Sequence, residues 1–208
     1  MKEAIIFDVD DLLLDYTYSL GEFAKKYYGK TVVGRPTDYN LCEWLNSTQE
    51  EVETIIDAFN YNSIEFGEIP AVDSFVVARV RHLRVKYSDM KFIVVSKCGD
   101  KGTSNIARQL NLRNVFGKDV FDEIHLISPF DSKLPLYTEL SMKYDVITVL
   151  DDHLKNISDA TKLGLKTVVL RRSHNTDKIK PKHVVVDDWF DLSETIIKQV
   201  QHHRAEKS

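Results

Sequence analysis

The chain has 208 residues, of which 43% are hydrophobic, so it can bury one full-sized core with at most a modest insertion. Its net charge of −4 is mild and gives no reason to expect binding to nucleic acid polymers or anionic membranes. The two cysteines, Cys42 and Cys98, are too few for a disulfide framework or a metal-ligand cluster. Because no apolar stretch reaches the roughly 18–20 residues of a membrane span and residues 1–3 do not begin a signal peptide, we expect a cytoplasmic protein.

The first predicted element is a buried strand at residues 5–7, Ile-Ile-Phe, since parallel strands covered on both faces are typically continuous apolar runs. Asp8, Asp10 and Asp11 follow it directly. Three carboxylates at the mouth of a buried strand repel one another, and burial raises the cost of their charge. A bound cation would resolve that repulsion, and hard oxygen ligands suit Mg2+. The alternative is an acidic turn that caps the next helix.

Residues 16–68 are predicted to form a small, mostly helical insertion, because no comparable strand runs through them. Helical patterns lie near 16–28 and 48–60. An aromatic face of this segment could stack on a nucleobase, but a small helical unit also needs a core. We therefore expect at most one or two of its aromatic residues in a substrate pocket, with Phe23 and Trp44 in the core. The aromatic residues considered are Tyr16, Tyr18, Phe23, Trp44, Phe59, Tyr61 and Phe66.

From about residue 70 onward, predicted strands and helices alternate, which indicates a parallel sheet with helices on both faces. The predicted strands are 92–95, 124–127, 146–150, 167–170 and a short edge strand at 184–186. The predicted helices are 102–112, 134–143, 154–163 and 190–203. The fold class is therefore α/β, a doubly wound parallel sheet. Residues 1–15 and 69–208 are predicted to form the core, with a helical cap at 16–68 inserted after the first strand.

In open α/β sheets ligands bind beyond the carboxyl ends of the strands, so the residues that follow the strands form the candidate site. The later strands and their connections deliver Ser96 and Lys97, then Lys133 at the start of a helix, then Asp151 and Asp152. With the first aspartates, this set combines a nucleophile, a hydroxyl, cationic partners for phosphate and further carboxylates for a metal. Singly, each of these residues could instead end a strand or begin a helix.

The ordered set of motifs resembles the haloacid dehalogenase-like (HAD) hydrolases. Asp8-Val9-Asp10 after a hydrophobic strand looks like their first motif, and Ser96 like their second. Lys133 looks like their third motif, and residues 151–156, Asp-Asp-His-Leu-Lys-Asn, look like their fourth. The resemblance covers about residues 1–15 and 70–190 and implies a Rossmann-like core with a small cap. It also implies a Mg2+-dependent phosphomonoesterase with an aspartyl-phosphate intermediate.

A narrower resemblance is to the type C 5′(3′)-deoxyribonucleotidases. It rests on the small insertion and on residues 36–41, Pro-Thr-Asp-Tyr-Asn-Leu, and 68–72, Glu-Ile-Pro-Ala-Val. Ala160 and Gly164, after the fourth motif, also suit these enzymes. This resemblance implies a small phosphorylated substrate, specifically a nucleoside monophosphate.

The resemblance implies roles for the carboxylates. Asp8 would be the nucleophile, and Asp10 would protonate the leaving alkoxide and then activate water. Asp10 needs a raised pKa for the first of these roles, which neighbouring negative charges can supply. Mg2+ would be bound by an Asp8 oxygen, the Asp10 backbone carbonyl and Asp152, with Asp151 as an adjacent alternative ligand or an outer group.

The resemblance also implies a phosphate site and contains two departures from the family pattern. Ser96 and the Lys97 backbone N–H would hold phosphate oxygens, while Lys133 would balance the charge of the phosphate and the nucleophile. Asp11 and Leu12 stand where the family usually has Gly and then Thr or Val. Asp tolerates glycine-like backbone angles better than most residues, and neither change touches the nucleophile.

Several alternatives stay open from the sequence. One is a HAD phosphatase for another small phosphorylated metabolite, and another is a HAD-fold binding or regulatory protein without turnover, for which Asp11-Leu12 is the support. A phosphoacceptor signalling domain also combines paired aspartates, a hydroxyl and a lysine, but it is shorter and lacks a cap. A haloacid dehalogenase proper would not need Asp10. The sequence does not distinguish a monomer from a homodimer.

Overall fold

A computed structural model describes residues 1–99 and 102–207 of the chain. Its strands are β1 (Glu3–Phe7), β2 (Lys91–Ser96), β3 (Glu123–Leu126), β4 (Asp145–Asp151), β5 (Thr167–Leu170) and β6 (Val185–Val186). Its α-helices are α1 (Tyr16–Tyr28), α2 (Cys42–Leu45), α3 (Gln49–Asn62), α4 (Val76–Lys86), α5 (Gly102–Phe116), α6 (Leu134–Lys143), α7 (Leu154–Lys162) and α8 (Trp189–Ala205). Short 3-10 helices cover Glu65–Glu68 and Thr176–Lys178.

The strands pair in parallel in the order β3-β2-β1-β4-β5-β6, which confirms the predicted doubly wound α/β sheet. β1 lies between β2 and β4 and is covered on both faces. Ile5 and Phe7 belong to the hydrophobic cluster on one face, while Ala4 and Ile6 belong to the cluster on the other. Side chains alternate across a strand, so a strand buried on both faces has to be apolar at every position.

Helices from different parts of the chain cover the two faces. Tyr137 of α6 and Ala160 of α7 belong to the cluster with Ala4 and Ile6. Side chains of α4, α5 and α8, such as Leu112 and Ile196, belong to the other cluster. A fully buried side chain of this kind contributes about 2 kcal/mol relative to an exposed one. The clusters hold the sheet between two helical layers.

The strand order reverses between β1 and β4, and this reversal locates the crevice of the fold. The chain runs from β1 through β2 to β3 at one edge, and then crosses over to β4, β5 and β6 on the other side. In open α/β sheets the carboxyl ends of the strands at such a switch point flank the ligand-binding crevice. The aspartates that follow β1 and end β4 therefore face a common opening.

The helical segment between β1 and α4 is built around aromatic residues. Helix α1 ends at Gly29, whose left-handed φ of 62° suits glycine. Helix α3 begins with a capping box formed by Thr48 and Glu51. The rings of Phe23 and Phe59 pack with their centroids 5.2 Å apart, so Phe23 lies in the core as predicted. The predicted domain boundaries at residues 15/16 and 68/69 stay predictions.

The structure differs from the sequence-based elements in a few places. The short helix α2 was not predicted, and Trp44 within it is only half-buried against the core. The predicted strand at 184–186 has two residues, Val185 and Val186. In the described part of the chain, no helix combines the length and the apolar character needed to cross a membrane.

Candidate active site

A buried lysine joins the ends of β1 and β4. Lys133 Nζ lies 2.6 Å from Asp8 Oδ1 and 2.8 Å from Asp151 Oδ2, and it is fully buried at the start of α6. Burial lowers the pKa of Lys133, but the charges of Asp151 and Asp8 raise it well above its ordinary value. Asn156 donates to the other oxygen of Asp151, at 3.1 Å, and thereby orients that carboxylate. The lysine therefore stays charged between two carboxylates.

The second aspartate of the pair at the end of β4 completes an acidic group. One oxygen each of Asp8, Asp151 and Asp152 lie within 4.8 Å of one another, and all three residues are buried. Burial and the charge of Asp151 raise the pKa of Asp152 to about 8. Burial and the same neighbour raise the pKa of Asp8 well above its ordinary value. Lys133 contacts two of these three buried carboxylates and Asp152 lies outside its reach, so the group has an excess of negative charge; such a hard oxygen donor set fits a divalent cation such as Mg2+.

His174 and Asn175 hold Asp152 from the loop after β5. His174 Nε2 lies 2.7 Å from Asp152 Oδ2, and the Asn175 side chain donates to the Asp152 carbonyl oxygen at 2.7 Å. Burial lowers the pKa of His174, so its neutral ring favours donation of one N–H to the carboxylate. Sequence inspection did not single out either residue. Their only local signal is a polar stretch directly after a predicted strand.

Asp10 pairs with an arginine that the sequence analysis missed. Arg108 Nη2 of α5 lies 2.6 Å from Asp10 Oδ1, and the Arg108 side chain is fully buried. Its spacing of four residues from Leu112 and eight from Phe116 places it on the apolar face of the helix, which is the signal that could have identified it. The guanidinium also lies 4.4 Å from the ring centroid of Phe66. A charged residue on an apolar helix face normally has a buried partner.

The predicted phosphate-binding residues lie on the same edge of the sheet. Ser96, the last residue of β2, is fully buried, and its Oγ is 3.5 Å from Asp10 Oδ2, the outer limit for a hydrogen bond. Lys97 is half-buried and lines the cavity beside Asp8 and Asp10. Burial lowers the pKa of Lys97, and the nearby charges of Lys155 and Lys133 lower it further. Ser96 and Lys97 therefore lie beside the carboxylates that follow β1, and their role in binding phosphate stays a prediction.

Asp11 and Leu12 have structural roles. Asp11 has a left-handed φ of 55°, and its Oδ1 accepts hydrogen bonds from the backbone N–H and the hydroxyl of Thr17, at 3.0 and 3.1 Å. The acidic-turn alternative therefore holds for Asp11, which caps the start of α1. Leu12 is fully buried, and its carbonyl accepts a hydrogen bond from Trp189 Nε1 at 2.7 Å. Both departures from the family pattern thus serve the turn after β1.

Tyr39 connects the segment before α2 to the acidic loop. Its hydroxyl donates to the Asp152 carbonyl at 3.2 Å and accepts from the Leu154 N–H at 3.0 Å, while its ring stacks near His153 with centroids 3.9 Å apart. Tyr39 and Tyr16 line a cavity of about 230 Å3 over Asp8 and Asp10. Of the aromatic residues considered from the sequence, only Tyr16 lines this cavity within the described residues, and Tyr39 was missed.

Solved structures with the same arrangement of strands and helices identify the fold. A haloacid dehalogenase-like family hydrolase from Streptococcus pneumoniae matches with a TM-score of 0.65 and 13% identity, over 93% of this chain and 97% of that one. A candidate phosphoglycolate phosphatase from Lactobacillus delbrueckii matches with a TM-score of 0.64 and 18% identity, over 94% and 99%. The chain has the haloacid dehalogenase-like (HAD) fold. A candidate HAD hydrolase from Bacillus subtilis, crystallised with magnesium, matches with a TM-score of 0.58 and 13% identity, over 93% and 98%.

One curated relative aligns along most of this HAD-like chain. It is an uncharacterised 32.4 kDa protein encoded in the Gp30-rIII intergenic region of enterobacteria phage T4. The two are 24% identical over 197 residues, which is 92% of this chain and 69% of the relative. No family model matches the chain. The similarity to solved structures establishes the HAD-like fold, while the chemistry has to be argued from the residues of the site.

Proposed function

We propose that this protein is a Mg2+-dependent phosphomonoesterase that forms an aspartyl-phosphate on Asp8 and acts on nucleoside monophosphates. The observation that carries the proposal is the buried trio of Asp8, Lys133 and Asp151, with Asp10 two residues beyond the nucleophile. A carboxylate nucleophile beside a fixed cation, with a second carboxylate in reach of the leaving group, is what phosphoryl transfer through a covalent intermediate needs. The HAD-like fold supports the same chemistry by analogy.

In the first step, an Asp8 carboxylate oxygen attacks phosphorus while the bond from phosphorus to the ester oxygen breaks. Lys133 donates to Asp8 Oδ1 at 2.6 Å, which leaves Oδ2 as the attacking oxygen. The leaving alkoxide takes a proton from Asp10, so a neutral alcohol departs. Arg108 holds Asp10 Oδ1, and we therefore assign the proton to Asp10 Oδ2.

In the second step, Asp10 takes a proton from a water molecule whose oxygen attacks phosphorus. The bond between phosphorus and Asp8 breaks, and Asp8 returns to its carboxylate form with release of inorganic phosphate. The contact with Arg108 holds the Asp10 carboxylate in place for this step. Lys133 neutralises part of the charge on Asp8 in both steps.

The phosphate group would be held by residues at the end of β2. Ser96 Oγ and the backbone N–H of Lys97 are the donors we assign to its oxygens, and the Lys97 ammonium adds positive charge at the cavity wall. Mg2+ would be held by Asp8, Asp152 and the Asp10 backbone carbonyl, with Asp151 as the alternative ligand, and when bound it would offset the charge of the phosphate oxygens. Asp151 already accepts from Lys133, so we favour Asp152 as the direct ligand.

The cavity above Asp8 and Asp10 supports a small leaving group such as a nucleoside. Tyr16, Pro36, Tyr39 and Leu41 give it an apolar and aromatic lining next to the carboxylates. Aromatic rings stack on nucleobases with little dependence on the base, which suits a monophosphate nucleotidase of broad base preference. The resemblance of residues 36–41 to type C 5′(3′)-deoxyribonucleotidases points in the same direction.

The test is phosphate release from p-nitrophenyl phosphate, followed by a screen of nucleoside monophosphates, sugar phosphates and phosphoamino acids with Mg2+. We expect Asp8→Asn to abolish release, by at least about a thousandfold, since the nucleophile is lost. Nucleotides should lead the screen by at least about tenfold, which is roughly 1.4 kcal/mol in the barrier. A flat profile would reject the nucleotidase assignment, and no release from any ester would reject the phosphatase.

A second candidate function is hydrolysis of a small phosphorylated acid or sugar. Its support is that one structural neighbour is a candidate phosphoglycolate phosphatase, although its 18% identity to this chain is low. The same screen distinguishes the two, because this candidate predicts that sugar phosphates or phosphorylated acids exceed every nucleotide. A binding protein without turnover would bind Mg2+ and the ester, would leave the ester intact and would release no phosphate.

A further inference from the structure

A second cavity adjoins the proposed active site on the far side of Asp11. It has a volume of about 360 Å3, within the range of roughly 300–1,000 Å3 that is usual for small-ligand sites. Asp11, Thr17 and His174 line both this cavity and the one above Asp8, so these three residues form the boundary between the two. The loop after β5 supplies much of its remaining wall, including Arg172. The cavity thus lies at the carboxyl edge of the sheet, where ligands of this fold class bind.

Two of the three arginines that line the cavity are already paired. Arg35 makes two parallel contacts with the Asp15 carboxylate, at 2.5 and 2.7 Å. Arg171 pairs with Asp187 at 2.6 Å. These pairs cancel most of the charge that Arg35 and Arg171 would present to a ligand. Arg172 is the third arginine in the wall of the cavity.

Arg172 has no carboxylate oxygen within 4.0 Å among the described residues, although its charge also acts on Asp152 and lowers the pKa of that carboxyl against the effect of burial. Its Nε donates to the backbone carbonyl of Asp11 at 2.7 Å, which fixes the guanidinium at the boundary with the active site. Its Nη2 is buried and has no hydrogen-bond partner in the described part of the chain, so a ligand in the cavity would reach this nitrogen only after the Arg172 side chain shifts. An unpaired buried donor on a charged group is costly, so such a group is normally matched by a ligand or by water. The planar guanidinium fork matches the oxygens of a phosphate or a carboxylate.

We propose that Arg172 forms a second anion-binding site, which takes a phosphate or carboxylate group beside the group bound at Asp8. The anion has two possible sources, the far end of the substrate or a free anion such as inorganic phosphate. If the source is the substrate, the natural ester carries a second negative group, which narrows the substrate class of the proposed phosphomonoesterase. This part of the proposal rests on the proposed function, whereas anion binding at Arg172 does not.

The first arm of the test compares esters that differ by one anionic group. The pairs are 3-phosphoglycerate with glycerol 3-phosphate, and a nucleoside 3′,5′-bisphosphate with its 5′-monophosphate. We expect the wild-type protein to prefer the doubly anionic member in kcat/KM, and Arg172→Met to reduce that preference by at least about tenfold, the usual effect of a charge-assisted hydrogen bond. Arg172→Lys keeps the charge and loses the fork, so its preference should lie in between. The preference is the ratio of two kcat/KM values measured with the same variant. A general loss of activity lowers both values equally and leaves this ratio unchanged.

The second arm titrates sodium sulfate into the wild-type protein and into Arg172→Met by calorimetry. A binding event that is present in the wild-type protein and lost in the variant, with the substrate preference unchanged, identifies a free anion as the source. Arg171→Met is the matched control, since it removes the same charge from a neighbour that is already paired with Asp187. We expect the Arg171 variant to change the substrate ratio and the sulfate affinity by less than about threefold.

The proposal is overturned if Arg172→Met folds, hydrolyses esters and changes neither the substrate ratio nor the sulfate affinity. It is also overturned if Arg171→Met and Arg172→Met have equal effects, because the site would then be a diffuse positive field. If Arg172→Met does not fold, the same two readouts, the substrate ratio and the sulfate affinity, are compared between Arg172→Lys and the wild-type protein. If the wild-type protein hydrolyses no phosphomonoester, the proposed function fails, while the sulfate arm still tests Arg172.

Discussion

The guanidinium of Arg108 lies 2.6 Å from the carboxylate of Asp10 and ties helix α5 to the turn after β1. The pair is asymmetric, since the Arg108 side chain is fully buried while that of Asp10 is 23% exposed. Arg108 Nε and Nη1 are buried and donate to no oxygen in the described residues, while the Cys98 thiol is a further contact of the guanidinium. The Asp10 carboxylate therefore supplies much of the negative charge that stabilises the buried Arg108 cation. Arg108 in turn holds Asp10, the residue that we propose as acid and base.

We predict that Arg108→Met lowers both stability and turnover. Asp10→Asn leaves the buried Arg108 cation without its carboxylate and should cost about 3 kcal/mol in the free energy of unfolding, whereas Arg108→Met leaves a partly exposed carboxylate and should cost less. Release of Asp10 in Arg108→Met should lower kcat at least about tenfold. Urea unfolding and steady-state kinetics measure the two effects. Arg113→Met, at an exposed position of the same helix, should stay within about 0.5 kcal/mol of wild type. Additive losses in Arg108→Met combined with Asp10→Asn would contradict the coupling, which should be about 1–3 kcal/mol.

A second prediction concerns Lys133, the cation shared by Asp8 and Asp151. In EDTA, Lys133→Met should lose about 3 kcal/mol of unfolding free energy, because two buried carboxylates lose their partner. Added Mg2+ should raise the Tm of the variant more than that of the wild-type protein, since the ion then supplies the missing positive charge. Lys143→Met, at the exposed end of the same helix, is the control. Equal Mg2+-induced shifts in Tm would show that the metal does not bind beside Lys133.

A third prediction is a pH dependence that follows from Asp152. Burial and the charge of Asp151 raise the pKa of Asp152 to about 8, against about 3.9 for an unfolded Asp. Between these values the folded protein binds more protons than the unfolded chain. The contribution of Asp152 to stability in EDTA is therefore complete below pH of about 4 and is lost as the pH rises through about 8.

Urea unfolding in EDTA at a series of pH values measures this loss, and Asp152→Asn should flatten the curve. The same protons compete with metal, so the affinity for Mg2+ measured by calorimetry should rise over that pH window. Asp8, whose pKa burial also raises, should contribute in the same direction. An Mg2+ affinity that is unchanged between pH 5.5 and 8 would contradict this account.

A fourth prediction separates the two roles of Asp11. Its left-handed backbone favours glycine, but its carboxylate caps α1 through Thr17. Asp11→Gly relieves the backbone and loses the cap, so the free energy of unfolding should change by less than about 1 kcal/mol. Asp11→Ala loses the cap and keeps the strain, and should cost about 1–2 kcal/mol. If both variants lose the same stability, backbone strain at this position is negligible.

Much of the fold could be predicted from the sequence because its elements have strong local signals. The helix predicted at 134–143 and the strand predicted at 167–170 have the observed bounds. The continuous apolar runs indicated a sheet buried on both faces, and regular alternation indicated parallel strands. Short elements were predicted poorly. Helix α2 has only four residues, too few for a helical period to be visible.

The candidate site divides in the same way. The structure brings the residues predicted from the strand ends together at one edge of the sheet, because the carboxyl ends of parallel strands meet there, and their catalytic roles stay predictions. These residues are Asp8, Asp10, Ser96, Lys97, Asp151 and Asp152, with Lys133 added from the start of α6. Arg108 was missed because it reaches the site from a helix whose own pattern is ordinary. Tyr39 lies in the segment 36–41 that carries the narrower resemblance, but its contact with the acidic loop was not predicted. Their partners lie 98 and 113 residues away in the chain, and no local rule joins them.

The sequence by itself determined the strand at 5–7, the aspartates that follow it and the chain order of the other strand-end residues, because side-chain periodicity is a local property. Only the tertiary structure decided that Asp10 faces Arg108, that His174 holds Asp152 and that Arg172 Nη2 has no hydrogen-bond partner among the described residues. These pairings depend on which side chains fill the same buried space, and that depends on the packing of distant elements.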